Sequence, residues 1–180
     1  MIQATFREGY LMEECAIQTA VPIMKGKRDF RNIVLVEVIW KRVMGILDCR
    51  LMEAIQFHDT LHGLLTGRGT GTVSLKSNLL QKMAYMREEF LYEIFLDLHK
   101  AYYSLDLVLC LNIFATYGVV PLELHIHTRY WDRISMVAQA GGYFMSPSKG
   151  QHGVTQGDPL YPTIFTMVVD AVLRHWVSVC

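Results

Sequence analysis

From Pro162 to about Val177 the chain carries one apolar stripe at helical spacing: Ile164, Phe165, Val168, Val172 and Trp176. A helix of this kind is stable only against a covering surface, so the fold has to supply a second layer to meet it. Either an earlier element covers the stripe or the natural domain continues beyond Cys180, and the second is the expectation here. Asp170 and Arg174 interrupt the stripe, which is too short to span a bilayer. Near the other end, Arg7 and Glu8 stand where a signal peptide would need an apolar stretch. No membrane segment is expected.

The remainder of the chain mixes two periodicities. Val21–Lys25 and Asn32–Val36 are short apolar runs around a charged turn, which predicts a hairpin. Ile39, Val43, Ile46, Leu47, Leu51 and Ile55 predict a helix over Glu37–Ile55. The Gly-rich loop Thr66–Gly71 leads to Thr72, a candidate N-cap for a helix to about Glu88. Phe90–Leu96 reads as a strand ending at Asp97. A helix from about Ser104 should stop at Gly118 as its C′ residue, and Pro121 should open another. Ile134–Ala140 and Tyr143–Met145, separated by Gly141–Gly142, predict a second hairpin. Strands and helices alternate without a βαβ rhythm, so the fold class is α+β. No repeat or linker divides the chain. With 52% hydrophobic residues among 180, it has the material for one real core.

Net charge is zero, but it is unevenly placed. Between Val21 and Arg50 lie Lys25, Lys27, Arg28, Arg31, Lys41, Arg42 and Arg50 against only Asp29, Glu37 and Asp48, an excess of four positive charges. Such a cluster is either a solvated face or an anion-binding one. Cys15, Cys49, Cys110 and Cys180 have neither CxxC nor zinc-ligand spacing, and they read as reduced, mostly core cysteines of an intracellular protein. His125 and His127 are two apart, which on a helix turns them to different faces, so no metal site is expected there. In Arg68-Gly-Thr-Gly-Thr72 no Lys-Ser or Lys-Thr follows the glycines, which makes it a tight turn entering a helix rather than a P-loop.

Three strings are more specific. An aspartate at the end of a strand presents its carboxylate at a sheet edge, where by itself it far more often caps a helix or faces water than binds a ligand. In this chain it sits within Ile94-Phe-Leu-Asp-Leu-His-Lys-Ala-Tyr102. Further on comes Gly153-Val-Thr-Gln-Gly-Asp-Pro-Leu-Tyr-Pro-Thr-Ile-Phe165, and near the start Pro22-Ile-Met-Lys-Gly-Lys-Arg-Asp-Phe-Arg31. Together, and in this order, they resemble the fingers hairpin and the first two palm motifs of reverse transcriptases of the non-LTR retrotransposon and group II intron type.

The resemblance covers nearly the whole chain and implies a right-hand polymerase, with fingers over about 1–89 and an incomplete palm over about 90–180. It implies RNA-templated DNA synthesis from deoxynucleoside triphosphates on a primer-template, with Mg2+ or Mn2+ as cofactor. Asp97 would be the catalytic carboxylate that binds metal, because hard carboxylate oxygens hold the cations that phosphoryl transfer requires. Lys25 and Arg31 would hold the triphosphate, Arg31 through its bidentate fork and Lys25 as a point charge. Tyr102, five residues after Asp97, would be the steric gate against a ribose 2′ hydroxyl. Gln156 and Gly157 would line the nucleotide pocket, the glycine allowing close backbone approach to base and template.

Departures from the family pattern are also present. Met24 and Asn32 replace prolines, which implies a softer fingers hairpin, and Tyr103 stands where an aspartate usually follows the gate. Tyr161 replaces a serine before Pro162, which implies loss of an N-cap worth about 1 kcal/mol and a bulky ring near the template. The Tyr-aliphatic-Asp-Asp hairpin and the thumb that follow in the family are not in the sequence. The chain is therefore expected to be an inactive fragment. The alternatives are a non-enzymatic nucleic-acid-binding remnant and a non-functional product of a decayed mobile element.

Overall fold

The structure, a computed structural model, describes residues 5, 7–8, 13–25, 30–149 and 157–179. A 3-10 turn over Glu13–Ala16 leads into β1 (Ile17–Met24), which pairs antiparallel with β2 (Phe30–Leu35). The hairpin is the one expected from the apolar runs, and its strands are longer because the pairing extends from Thr19↔Leu35 to Met24↔Phe30. Then follow α1 (Val38–Ala54), α2 (Thr70–Arg87), α3 (Leu107–Thr116) and α4 (Pro121–Arg133). β3 (Ser135–Ala140), β4 (Tyr143–Phe144) and α5 (Tyr161–Val179) complete the order. The sheet runs β2-β1-β3-β4. β3 lies parallel to β1 in register Ile17↔Ser135 and antiparallel to β4, so the mixed α and β architecture includes one parallel crossover.

Local chemistry accounts for most of the boundaries. Glu37 accepts a hydrogen bond from Ile39 N at 2.9 Å and starts α1, while Asp106 accepts from Val108 N (2.8 Å) and Leu109 N (3.3 Å) and starts α3. Gly118, at φ +73°, follows α3 as its C′ residue, and Pro121 opens α4. Gly141 and Gly142, both at positive φ, make the two-residue turn that joins β3 to β4. Thr72 is not the N-cap of α2. That position belongs to Gly69, and Thr72 sits a turn inside, its hydroxyl accepting from Gly69 N at 3.2 Å.

The core lies between the helices and one face of the sheet. α1 contributes Trp40, Val43, Met44, Leu47 and Leu51, while the expected stripe residues Ile39 and Ile46 are exposed. Trp40 and Tyr130 of α4 bring their ring centroids to 4.3 Å, and the buried Gln18 of β1 donates to the Tyr130 hydroxyl, tying sheet to helix layer. His127, buried between Phe114 and Trp131, is held neutral because burial lowers its pKa to about 4, whereas His125 is exposed. Cys15 and Cys110 are core residues, Cys49 is exposed, and Cys180 lies outside the described residues.

α5 packs on α1 and α3 through Tyr161, Thr163, Ile164, Thr166, Met167 and Asp170. Its inner face is thus rotated from the expected stripe: Phe165 and Val168 are half-buried, Val172 and Trp176 exposed. An earlier layer does cover the first half of this helix. Asp170 has no exposed surface and accepts from Arg174 Nε at 2.7 Å, His58 N at 2.7 Å and the Tyr117 hydroxyl. Burial raises its pKa, but these donors outweigh that and hold the carboxyl below its ordinary range. No helix among the described residues is long and apolar enough to cross a membrane.

The expected strand Phe90–Leu96 is not one. Residues 89–98 have no regular secondary structure and are exposed throughout. A strand needs a ladder partner, and among the described residues none lies beside this segment. Instead Glu93 accepts hydrogen bonds from Ser77 (2.5 Å) and Gln81 (2.8 Å) of α2, a helix with no buried residue of its own.

Candidate nucleotide site

The structure ties Tyr102 to Phe165 through a ring contact and seats Gly157 on β2. Tyr102 follows a turn in which Lys100, at φ +48°, accepts from Tyr103 N at 2.8 Å and Ser104 N at 3.1 Å. Its ring is half-buried and lies 5.2 Å from the Phe165 ring at an interplanar angle of 35°. Burial raises the pKa of its phenol. The two palm-type strings, 63 residues apart from Tyr102 to Phe165, therefore meet at this ring pair.

Gly157 sits in the turn before α5 at φ +140°, against β2. A Cβ there would overlap the Val34 carbonyl oxygen and come within 3.1 Å of the Val34 carbonyl carbon. The second palm string is thus pressed onto the strand that carries Arg31, which pairs with Ile23. Close backbone approach is the reason for glycine here, and the approaching partner is β2. Lys25 is exposed at the end of β1, and Gln156 lies outside the described residues. Asp97 is exposed and makes no hydrogen bond or ion pair with another described residue.

Sequence reasoning missed what lies under Gly157. Asp158 is buried, with Oδ1 accepting from Leu160 N at 3.0 Å and Oδ2 without a partner among the described residues. Burial pushes its pKa up to about 7; the Leu160 N–H and Lys41 oppose this, and Asp48 adds to it. Asp48, on α1, is also raised by burial, against a hydrogen bond from the Thr163 hydroxyl. Asp158 turns the chain just ahead of α5 through its bond from Leu160 N. The ring of Tyr161 is buried in the core, its hydroxyl accepting from Trp131 Nε1 at 3.3 Å. An aspartate three residues before the helix was a legible turn signal, but its burial was not.

This cluster yields a test. The folded pKa of Asp158 exceeds its ordinary value of 3.8, so the stability it contributes is present below that value and lost as pH rises through about 7. Asp158→Asn should therefore match the parent near pH 4 and be more stable than the parent by ~2–4 kcal/mol at pH 8. Urea unfolding at both pH values measures this. Equal stabilities at pH 8 would mean that the carboxylate carries no burial cost.

The family model described as reverse transcriptase (RNA-dependent DNA polymerase) matches residues 23–180, and the chain belongs to that family. It is similar to the retrovirus-related Pol polyprotein from type-1 retrotransposable element R2 of Nasonia vitripennis, 31% identical over 170 residues. That match takes in 86% of this chain and 15% of the relative. It is also similar to the Pol polyprotein from type-2 retrotransposable element R2DM of Drosophila melanogaster, 25% identical over 150 residues, covering 83% of this chain and 14% of that protein. The chain thus spans about a seventh of the length of these curated relatives.

The divalent cation used by the family needs several convergent oxygens. Among the described residues no group of three or more His, Cys, Asp or Glu side chains is placed to hold one. Asp97 alone does not make such a site.

Proposed function

We propose that this chain forms the fingers, over about 1–89, and the front of the palm, over about 90–180, of an RNA-directed DNA polymerase that extends a primer on a nucleic-acid template. The observation that carries the reading is the Tyr102–Phe165 ring pair, which joins the two palm-type strings as a gate and its nucleotide pocket require. In this reading Arg31 grips the triphosphate through two parallel N–H donors, and Lys25 adds an exposed point charge. Tyr102 fills the space that a 2′ hydroxyl would need. Gln156 and Gly157 line the pocket, and Asp97 contributes one oxygen ligand toward a Mg2+ or Mn2+ site that other carboxylates must complete.

By itself the chain does not extend a primer, because one exposed carboxylate does not fix a strongly hydrated cation. The isolation of Asp97 also supports a second reading, a chain that binds nucleic acid without catalysis. Both readings predict weak binding to single strands without sequence preference, carried by the basic hairpin. Replacing Lys25, Lys27, Arg28 and Arg31 together with alanine should flatten the slope of log affinity against log salt by up to about 3. Fluorescence anisotropy across a salt series measures it. A quadruple variant that keeps the parent's slope would make the hairpin a solvated surface and remove the triphosphate grip.

A further inference from the structure

We infer that Phe165 is a positioning residue for the nucleotide gate: its ring sets the orientation of Tyr102, and through it the preference for a deoxyribose over a ribose. The inference rests on the reading of Tyr102 as the gate. Backbone and side chain of Tyr102 are held by different means. The turn at Lys100 fixes the chain through its bonds from Tyr103 N and Ser104 N, and Ser104 Oγ adds a bond to Ala101 O at 3.0 Å. The Tyr102 hydroxyl, by contrast, has no hydrogen bond to another described residue. Its ring torsions are left to packing, and the oriented contact the ring makes is with Phe165, at 5.2 Å between centroids.

Phe165 is well placed to act as a fixed stop. Its neighbours along α5, Ile164, Thr166 and Met167, are all buried, so the helix backbone beneath it has no room to shift. The segment entering α5 is held by Asp158, which accepts from Leu160 N, and Leu160 O accepts from Ile164 N at 3.1 Å. A gate discriminates by excluding a single hydroxyl, so a ring free to tilt by one rotamer step would admit it. Phe165 removes that freedom without touching the nucleotide.

The test uses the full chain with dATP and ATP, which differ at the 2′ position, their affinities read by saturation-transfer NMR in Mn2+-free buffer containing Mg2+. Tyr102→Val should bring the two affinities together. Phe165→Leu, which keeps the side chain's bulk but not its ring, should lower the dATP-over-ATP preference about three- to tenfold through tighter ATP binding, with dATP affinity unchanged. Phe165→Tyr should restore the parent's preference, and Phe165→Leu added to Tyr102→Val should change nothing further. A merely structural role would weaken both nucleotides equally, and that result would overturn the inference. So would a preference that falls in Tyr102→Val but stays at the parent's value in Phe165→Leu. If Tyr102→Val itself leaves the preference unchanged, or the parent binds neither nucleotide, the gate reading fails and the inference falls with it.

Discussion

Gly157→Ala is expected to cost the chain on the order of 3–5 kcal/mol, a large share of the stability of an ordinary domain. Two terms add. The first is conformational: φ of +140° lies where side chains with a Cβ are rarely found, and holding one there costs about 1–3 kcal/mol. The second is steric, because the new methyl would occupy the space of the Val34 carbonyl oxygen. That oxygen belongs to a strand paired along its length with β1, so it cannot yield as the tip of a flexible side chain would, and overpacking of this kind costs about 1–3 kcal/mol. Gly45, in the middle of α1 with nothing within 4 Å of a built Cβ, is the control: Gly45→Ala should stabilise by about 0.5–1 kcal/mol. Urea unfolding of the two variants beside the parent measures both. If Gly157→Ala unfolds within about 1 kcal/mol of the parent, the turn does not sit on β2 as described.

The consequence reaches the site. Gly157 is where the turn before α5 meets the strand that carries Arg31, so in the proposed reading a displaced turn moves the pocket away from the triphosphate grip. Stability and site geometry share one residue here.

What could be read in the sequence follows how local each signal is. Gly141–Gly142 specified the second hairpin because a two-residue turn with positive φ is a property of those residues alone. Pro121, Gly118 and the alternating runs about the first hairpin worked for the same reason. The inner face of α5 was misread because apolar residues alone were followed. Thr163, Thr166 and Asp170 are buried too, each with a partner: Asp48 for Thr163, the Pro162 carbonyl for Thr166, and three donors for Asp170. A polar group with its hydrogen bonds satisfied costs little to bury, and periodicity of hydrophobicity does not register it. On α1 the error was one of phase: the stripe was set on Ile39 and Ile46, while the buried face runs through Trp40 and Met44.

Phe90–Leu96 failed differently. Its composition favours a strand, but strand formation is decided by a partner elsewhere in the chain, and none of the described residues supplies one. In the candidate site the need for glycine at position 157 was legible, although the strand it meets, β2, was not. Burial of Asp158 was not, since a pKa pushed up to about 7 depends on Asp48 and the surrounding core, not on the string itself.

The central claim is that Asp97 belongs to the catalytic centre of a DNA polymerase. Its most direct measurement is primer extension by a chimera that joins this chain to the Asp-Asp hairpin and thumb of a close relative. Displacement at a triphosphate needs both the attacking and the leaving oxygen stabilised, and cations held by several carboxylates provide that. With Asp97 among those carboxylates, the chimera should extend a primer in Mg2+, and Asp97→Ala should lower the rate by at least about a thousandfold. The chain without the added segments should give no product under the same conditions. Extension by the Asp97→Ala chimera at the parent rate, or Asp97-dependent extension by the chain alone, would contradict this account.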